Sequence, residues 1–366
     1  MTTKTAKLPV GDAGSPSLER HENLGPIRDE WTELAERSGN PFATWQWAAT
    51  WWEYFGRGRP LLITACRRPD GTLAAIIPLY VASRRPLRVL RFLGHGPGDI
   101  LGPICAPEDS ELGAAALRQV LTAESRSWDL LLAERLPGDR FTGLVPGRVL
   151  LREASPSLRI AEGATWEEYV ASRSRNLRTQ IRSRPRRLER EHEVRYRLTD
   201  ERERLHEDLD TLFRLHRARW GEAAAFRGEI GAFHREFAEQ AFEQGWLRLW
   251  FLEVNGRAVA ARYGLRFGNV HWSYQSGRDP DPAWDRYSLG FLLLVRTIQA
   301  AFDDRLSGYS FLRGDEAYKR RFAEDDTGLE TIAVTRGPLG SAALSGARAA
   351  KRMPPRIRRR IIRSLG

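Results

Sequence analysis

The chain has 366 residues, 42% of them hydrophobic, with twelve Trp and fifteen Phe. That is room for one large domain or two ordinary ones, with real cores, and it argues against global disorder. Cys66 and Cys105 form neither a metal-ligand spacing nor a disulfide framework, so no metal is expected. The first twenty residues hold no apolar signal core, and no apolar run reaches the ~18 residues of a membrane span, so a cytoplasmic protein is expected. The net charge of +11 is local: residues 341–366 hold eight Lys/Arg and no acid, and residues 171–197 hold ten Arg against three Glu. The rest is nearly balanced, and composition alone does not make a nucleic-acid binder.

In chain order, residues 1–17 are small and polar and read as disordered. Residues 24–37 carry Trp31 and Leu34 at helical spacing, and Thr44 is placed to cap a Trp-rich helix over 45–55. Four Trp and a Tyr there suit an aromatic ligand platform or, as the plainer expectation, a helix covering a sheet face. Residues 61–67 and 73–82 flank Pro69-Asp70-Gly71 as a hairpin; 87–93, 128–133 and 148–152 read as further strands, and 112–124 as a helix. The glycine-rich run 95–102 lacks the strand–GxGxxG–helix context of a phosphate cradle, and a structural loop is the plainer expectation.

Thr165 and Glu168 predict a capping box, and Pro185 predicts a kink or break in the Arg-rich segment that follows. Leu177, Ile181 and Leu188 keep an apolar stripe there, opposite a cationic face that is either merely solvated or holds an anion. Asp200, with Glu203, is placed to cap a helix whose apolar line runs Leu205, Leu209, Leu212, His216, Trp220. His216 is thus expected on the buried side, as a core histidine or as a base, and Arg219 off the stripe, toward ligand or solvent. A further helix over 233–242 precedes three strands, 247–254, 257–267 and 270–276, joined by Asn255-Gly256 and Gly268-Asn269.

Those strands lead into the most telling stretch, residues 272–322. A loop leads to Ser288, a good N-cap for an apolar helix over 289–302; Gly308 then breaks into a strand, and Arg313-Gly314-Asp315-Glu316 leaves it carrying two carboxylates. A helix N-terminus beside charged side chains suits an anionic ligand such as a pyrophosphate. The hairpin 61–82 is echoed by 247–267, with Asp70-Gly71 matching Asn255-Gly256, each preceded by an aromatic-rich helix. The echo predicts two similarly built halves meeting near 155–165. The first half has no counterpart to RGDEAYKRRF, so the chemistry is expected in the second.

The segments RSRNLRTQIR, LHRARW, VNGRAVAARYG, SYQSGRDP, YSLGFLLL and FLRGDEAYKRRF, in that order, resemble the CelD/BcsL-like acetyltransferases over about residues 165–323. That family lies in the GNAT superfamily and is similar in build to FemAB-type transferases with two GNAT-like halves. The resemblance implies tandem GNAT-like domains of α+β class, each a mixed, mainly antiparallel central sheet flanked by helices: a disordered stretch 1–17, a degenerate N-terminal domain 18–158, an acetyltransferase domain 159–337, and a basic tail 338–366. It implies acyl transfer from acetyl-CoA or another acyl-CoA to an amine or hydroxyl of a sugar, polysaccharide or cell-envelope precursor. Asp315, Glu316 and Tyr318 are the expected catalytic residues: a carboxylate for the nucleophile, the phenol for the leaving thiolate. Ser288, Gly290 and Lys319 are expected at the cofactor, and Tyr274, Arg219 and His216 at the substrate. The plainer expectation for Asp315 and Glu316 is a cap on the next turn, with Lys319, Arg320 and Arg321 facing water. The common GNAT loop, Arg/Gln-x-x-Gly-x-Gly/Ala, is absent; Ser288 and Gly290 remain of it.

Two alternatives stand beside this reading: a FemAB-like transferase using aminoacyl-tRNA held by the Arg-rich block, and a non-catalytic binder that kept the fold. In the tail, Met353, Ile357, Ile361 and Ile362 interleave with arginines, so 347–363 is either disordered or a basic helix at the inner face of an anionic membrane.

Overall fold

The computed structural model describes residues 6–7 and 16–351. They form two compact units, one from the chain before Ala154 and after Thr327, the other Ala154–Thr327. The sheet of the first unit runs Ala6–Lys7, Ser17–His21, Leu61–Arg67, Leu73–Ser83, Val89–Phe92, Leu130–Pro137, Leu329–Thr335, Arg148–Glu153, with Ile104–Cys105 beside Leu73–Ser83. The sheet of the second runs Val194–Leu198, Leu247–Val254, Arg257–Phe267, Val270–Arg278, Gly308–Ser310, Pro156–Arg159, Asp325–Asp326. Each is antiparallel except at one central junction: Val89–Phe92 with Leu130–Pro137, and Val270–Arg278 with Gly308–Ser310. The echoed hairpins occupy the same place in the two sheets, as the sequence predicts.

Local chemistry explains most elements. Thr44 accepts from Trp47 N–H and opens the helix Trp45–Phe55, whose Trp47 and Trp51 are buried against the first sheet. The Thr165/Glu168 capping box is formed in full. Asn255 and Gly256, and Gly268 and Asn269, all take positive φ, which the right-handed twist of tight hairpins requires. The helix Leu289–Asp303 buries Leu294, Ile298 and Ala301 with Leu158, Leu177, Ile181 and Tyr309 in one core cluster. That burial explains why its sequence is so apolar without crossing a membrane; no helix among the described residues is long and apolar enough to do so.

Several expectations are corrected. The Arg-rich helix Arg175–Glu191 runs through Pro185 without a break, held by its buried stripe Leu177, Ile181 and Leu188. Asp200 does not cap Leu205–Trp220; a 3-10 turn, Arg202–Arg204, intervenes and no side chain caps the helix. Trp220 lies out of the apolar line, 45% exposed. Ser288 stands at the N-cap position in the left-handed region, and its side chain makes no cap hydrogen bond. The expected last strand, Leu329–Thr335, exists but belongs to the first unit's sheet, between Leu130–Pro137 and Arg148–Glu153. The second unit therefore ends at Thr327, and begins at Ala154, rather than at 337 and 159. Within the stretch read as disordered, Ala6–Lys7 pairs with Ser17–His21; the remainder of 1–15, and the tail from 352 on, lie outside the described residues.

Candidate acyl-transfer cavity

In the second unit the parallel junction is short. It joins Val270–Trp272 to Gly308–Ser310 and then stops, leaving Ser273–Arg278 without a partner on that edge. A cavity of about 280 Å³ is lined by Arg219, Arg262, Arg278, Trp284, Asp285, Ser288, Leu289, Gly290, Phe291, Leu294 and Tyr318. The first turn of the helix Leu289–Asp303 therefore forms part of its wall, where unsatisfied backbone N–H groups favour negative charge. A Cβ built on Gly290 meets nothing within 4 Å, so the backbone is open to close approach there.

Three guanidinium groups share this space with one carboxylate, Asp285, which lies 3.5 Å from Arg278. Arg219 donates to Ser276 Oγ at 3.0 Å. Arg262 is only 6% exposed; its Nη1 donates to Ser273 Oγ at 2.7 Å, and its Nε has no hydrogen-bond partner among the described residues. A buried cation with no counter-ion is costly, by several kcal/mol in order of magnitude. An anion in the cavity removes that cost. Tyr318 is half-buried on the same wall; burial raises its pKa, opposed by the charge of Arg262, so the phenol stays protonated.

The structure thus brings together Ser288, Gly290, Tyr318 and Arg219. It does not bring the other candidates to the cavity. Asp315 is exposed and paired with Arg320, which holds its pKa below the ordinary value. Glu316 pairs with Lys319 at 2.9 Å. Lys319 is buried, contrary to the water-facing alternative, and its Nζ also donates to the Arg313 carbonyl at 2.6 Å, so it ties down the loop. The Tyr274 hydroxyl lies 3.4 Å from His234 Nε2, away from the cavity lining.

His216 is committed at both ring nitrogens. Nδ1 is 2.9 Å from the Ser276 carbonyl, and Nε2 accepts from Ala225 N–H at 3.0 Å. The ring is neutral, with its pKa lowered chiefly by burial, and has no lone pair left for a substrate. It anchors the strand that carries Ser276 and Arg278. Sequence reasoning missed Arg262, Arg278, Trp284 and Phe291. A signal existed for Arg262: it is an isolated cation in the otherwise apolar centre of Arg257–Phe267.

In the first unit the corresponding gap is closed by the chain itself. Leu101 N–H donates to the Arg135 carbonyl at 3.1 Å, and Arg135 Nη1 donates to the Gly96 carbonyl at 2.9 Å and also to that of Gly98. The glycine-rich run is therefore occupied as a structural loop.

Residues 175–320 match the family model described as acetyltransferase (GNAT) domain. No curated protein matches the chain. Among solved structures, FemX is similar at 11% identity, covering 83% of this chain and 96% of that one, with a TM-score of 0.58. The C-terminal domain (DUF2156) of a putative lysylphosphatidylglycerol synthetase from Agrobacterium fabrum is similar at 12% identity, covering 89% and 96%, with a TM-score of 0.57. L-PGS from Bacillus licheniformis follows at 12%, 88% and 96%, with 0.55. At these identities the likeness is one of fold. The chain folds as two mainly antiparallel sheets flanked by helices, and the match to the acetyltransferase (GNAT) domain model falls within its second unit.

Proposed function

We propose that the second unit is an acyl-CoA-dependent acyltransferase, in the first instance an acetyltransferase, acting by direct transfer. The observation that carries this reading is the buried, unmatched guanidinium of Arg262 facing the same cavity as the helix N-terminus at Ser288–Gly290. Together they supply what a pyrophosphate needs: convergent N–H donors, fixed positive charge and room for close approach. Leu289, Phe291 and Leu294 add apolar wall suited to a pantetheine arm. Lys319 is not among the groups that would hold the donor, because its ammonium is already shared between Glu316 and the Arg313 carbonyl.

In the transfer step an amine or hydroxyl attacks the thioester carbonyl, a new C–N or C–O bond forms, and the C–S bond breaks. Tyr318, kept neutral by burial, gives its proton to the departing thiolate sulfur, and the proton lost by the attacking amine or hydroxyl returns the phenolate to phenol. Asp315 and Glu316 take no part in this step, since each is committed to a cation outside the cavity. The acceptor is a sugar amine or hydroxyl of a polysaccharide or envelope precursor, as the resemblance to CelD/BcsL-like enzymes implies.

Calorimetry with acetyl-CoA tests the donor. Saturable binding is expected, and Gly290→Asp, which sets a carboxylate in the anion-facing turn, abolishes it. Absence of binding at millimolar acetyl-CoA overturns the reading. One observation favours a second donor: Arg175, Arg182 and Arg186 on Arg175–Glu191 are exposed, with no carboxylate partner among the described residues. An aminoacyl-tRNA that binds in place of acetyl-CoA, and is lost with these arginines, selects the FemAB-like alternative; binding without turnover selects a non-catalytic one.

A further inference from the structure

Beside the cavity, the cations around the loop 313–324 are matched with carboxylates: Arg173 with Glu324, Lys319 with Glu316, Arg320 with Asp315. Arg184 and Arg321 break this rule. Both guanidinium carbons lie over the ring of Phe291, at 4.8 and 5.6 Å from its centroid. Arg321 is steadied by Gln180 Oε1 at 3.0 Å, a neutral acceptor, and neither arginine has an acidic partner among the described residues. Two half-buried like charges sharing one ring repel each other, and water and the ring quadrupole offset this only in part. Phe291 lines the cavity. The unmatched pair therefore adjoins the anion site at Ser288–Gly290 but is separate from its three arginines.

We infer that Arg184 and Arg321 form a second anion subsite that takes the ribose 3′-phosphate of the acyl-CoA donor. The inference rests on the acyl-CoA reading of the cavity. Coenzyme A carries two separated anionic groups, a pyrophosphate and a phosphate monoester, and the unit offers two separated groups of unmatched arginines. A monoester dianion suits two guanidinium forks, each able to donate paired hydrogen bonds. Phe291 holds both arginines by cation–π contact before ligand arrives, which limits the side-chain entropy lost on binding. The pKa of Arg184 is lowered by burial and by Arg321, the sign expected of a site awaiting negative charge.

The test is calorimetric titration of the full chain with CoA and with 3′-dephospho-CoA, for wild type, Arg184→Gln and Arg321→Gln. Arg190→Gln, the same charge change at an exposed position of the same helix, serves as control. Wild type and control are expected to prefer CoA by at least about tenfold. Each of the other two variants brings the ratio near one by weakening CoA while leaving 3′-dephospho-CoA unchanged. Equal binding of the two ligands by wild type overturns the subsite and leaves the donor reading standing. So does an equal loss of both ligands in the variants. Failure of wild type to bind either ligand overturns the donor reading and the subsite with it.

Discussion

Arg262 Nη1 donates to Ser273 Oγ at 2.7 Å, and that hydroxyl stands where a carboxylate would be expected beside so buried a guanidinium. The pair spans adjacent strands, Arg257–Phe267 and Val270–Arg278, and leaves the Nε with no acceptor. Replacing a buried, unpaired cation by an apolar residue of similar length is neutral or stabilising. Arg262→Met is therefore expected to unfold at a temperature equal to or above wild type. It is also expected to lose most of the thermal shift that acetyl-CoA gives the wild type. Differential scanning fluorimetry with and without ligand reads both; a lower melting temperature without ligand would count against a binding role.

Among the described residues that line the cavity, Tyr318 is the only hydroxyl-bearing aromatic. Tyr318→Phe keeps the ring and removes the proton donor, so kcat is expected to fall by about a hundredfold or more with KM for acetyl-CoA little changed. Steady-state kinetics on a simple amine acceptor checks this. A rise in KM at constant kcat would make the residue a binding group instead.

Gly277 lets a strand touch a helix backbone. A Cβ there would sit 2.4 Å from His216 N and 2.5 Å from Leu215 C, and neither can yield without moving the helix. Gly277→Ala is expected to cost at least about 1–3 kcal/mol in denaturant unfolding. It should also weaken donor binding, because Ser276 and Arg278 on either side hold and line the cavity. A variant with wild-type stability would show that the contact is not needed.

Histidine burial sets the acid side of the stability curve. Burial pushes His234 and His271 down to about 3, and lowers His216 as well. A histidine whose folded pKa lies below its unfolded one destabilises the fold as pH drops, because the unfolded chain takes the proton first. Stability is thus full above about pH 6.5 and declines toward pH 3, by up to about 1.4 kcal/mol per pH unit for each group. His271 stacks on Tyr309 at 4.6 Å with no hydrogen-bond partner at Nε2 among the described residues, so His271→Phe should flatten the decline by one proton. Urea titrations between pH 4 and 7 measure the slope.

How far the site was legible depended on whether its signal was local. Ser288, Gly290 and Tyr318 stand out because a cap position, a small residue and a motif with the right neighbours are properties of short segments. Asp315 and Glu316 stand out for the same reason, and the resemblance to the acetyltransferases gives them chemistry. Their carboxylates turn instead to cations five and three residues on, a choice of rotamer that the residue order leaves open.

The amino-acid order by itself determined the hairpins at Asn255-Gly256 and Gly268-Asn269, the apolar helix after Ser288, and the likeness of the two halves. Turn chemistry and hydrophobic period act within a few residues. Only the tertiary structure decided what the stretch 272–322 surrounds. Arg219, Arg262 and Arg278 come from a helix and two strands, and they meet because the parallel junction ends at Trp272 and Ser310. The same holds for Leu329–Thr335: its alternation makes it a strand, but which sheet it joins is settled by long-range pairing with Leu130–Pro137 and Arg148–Glu153.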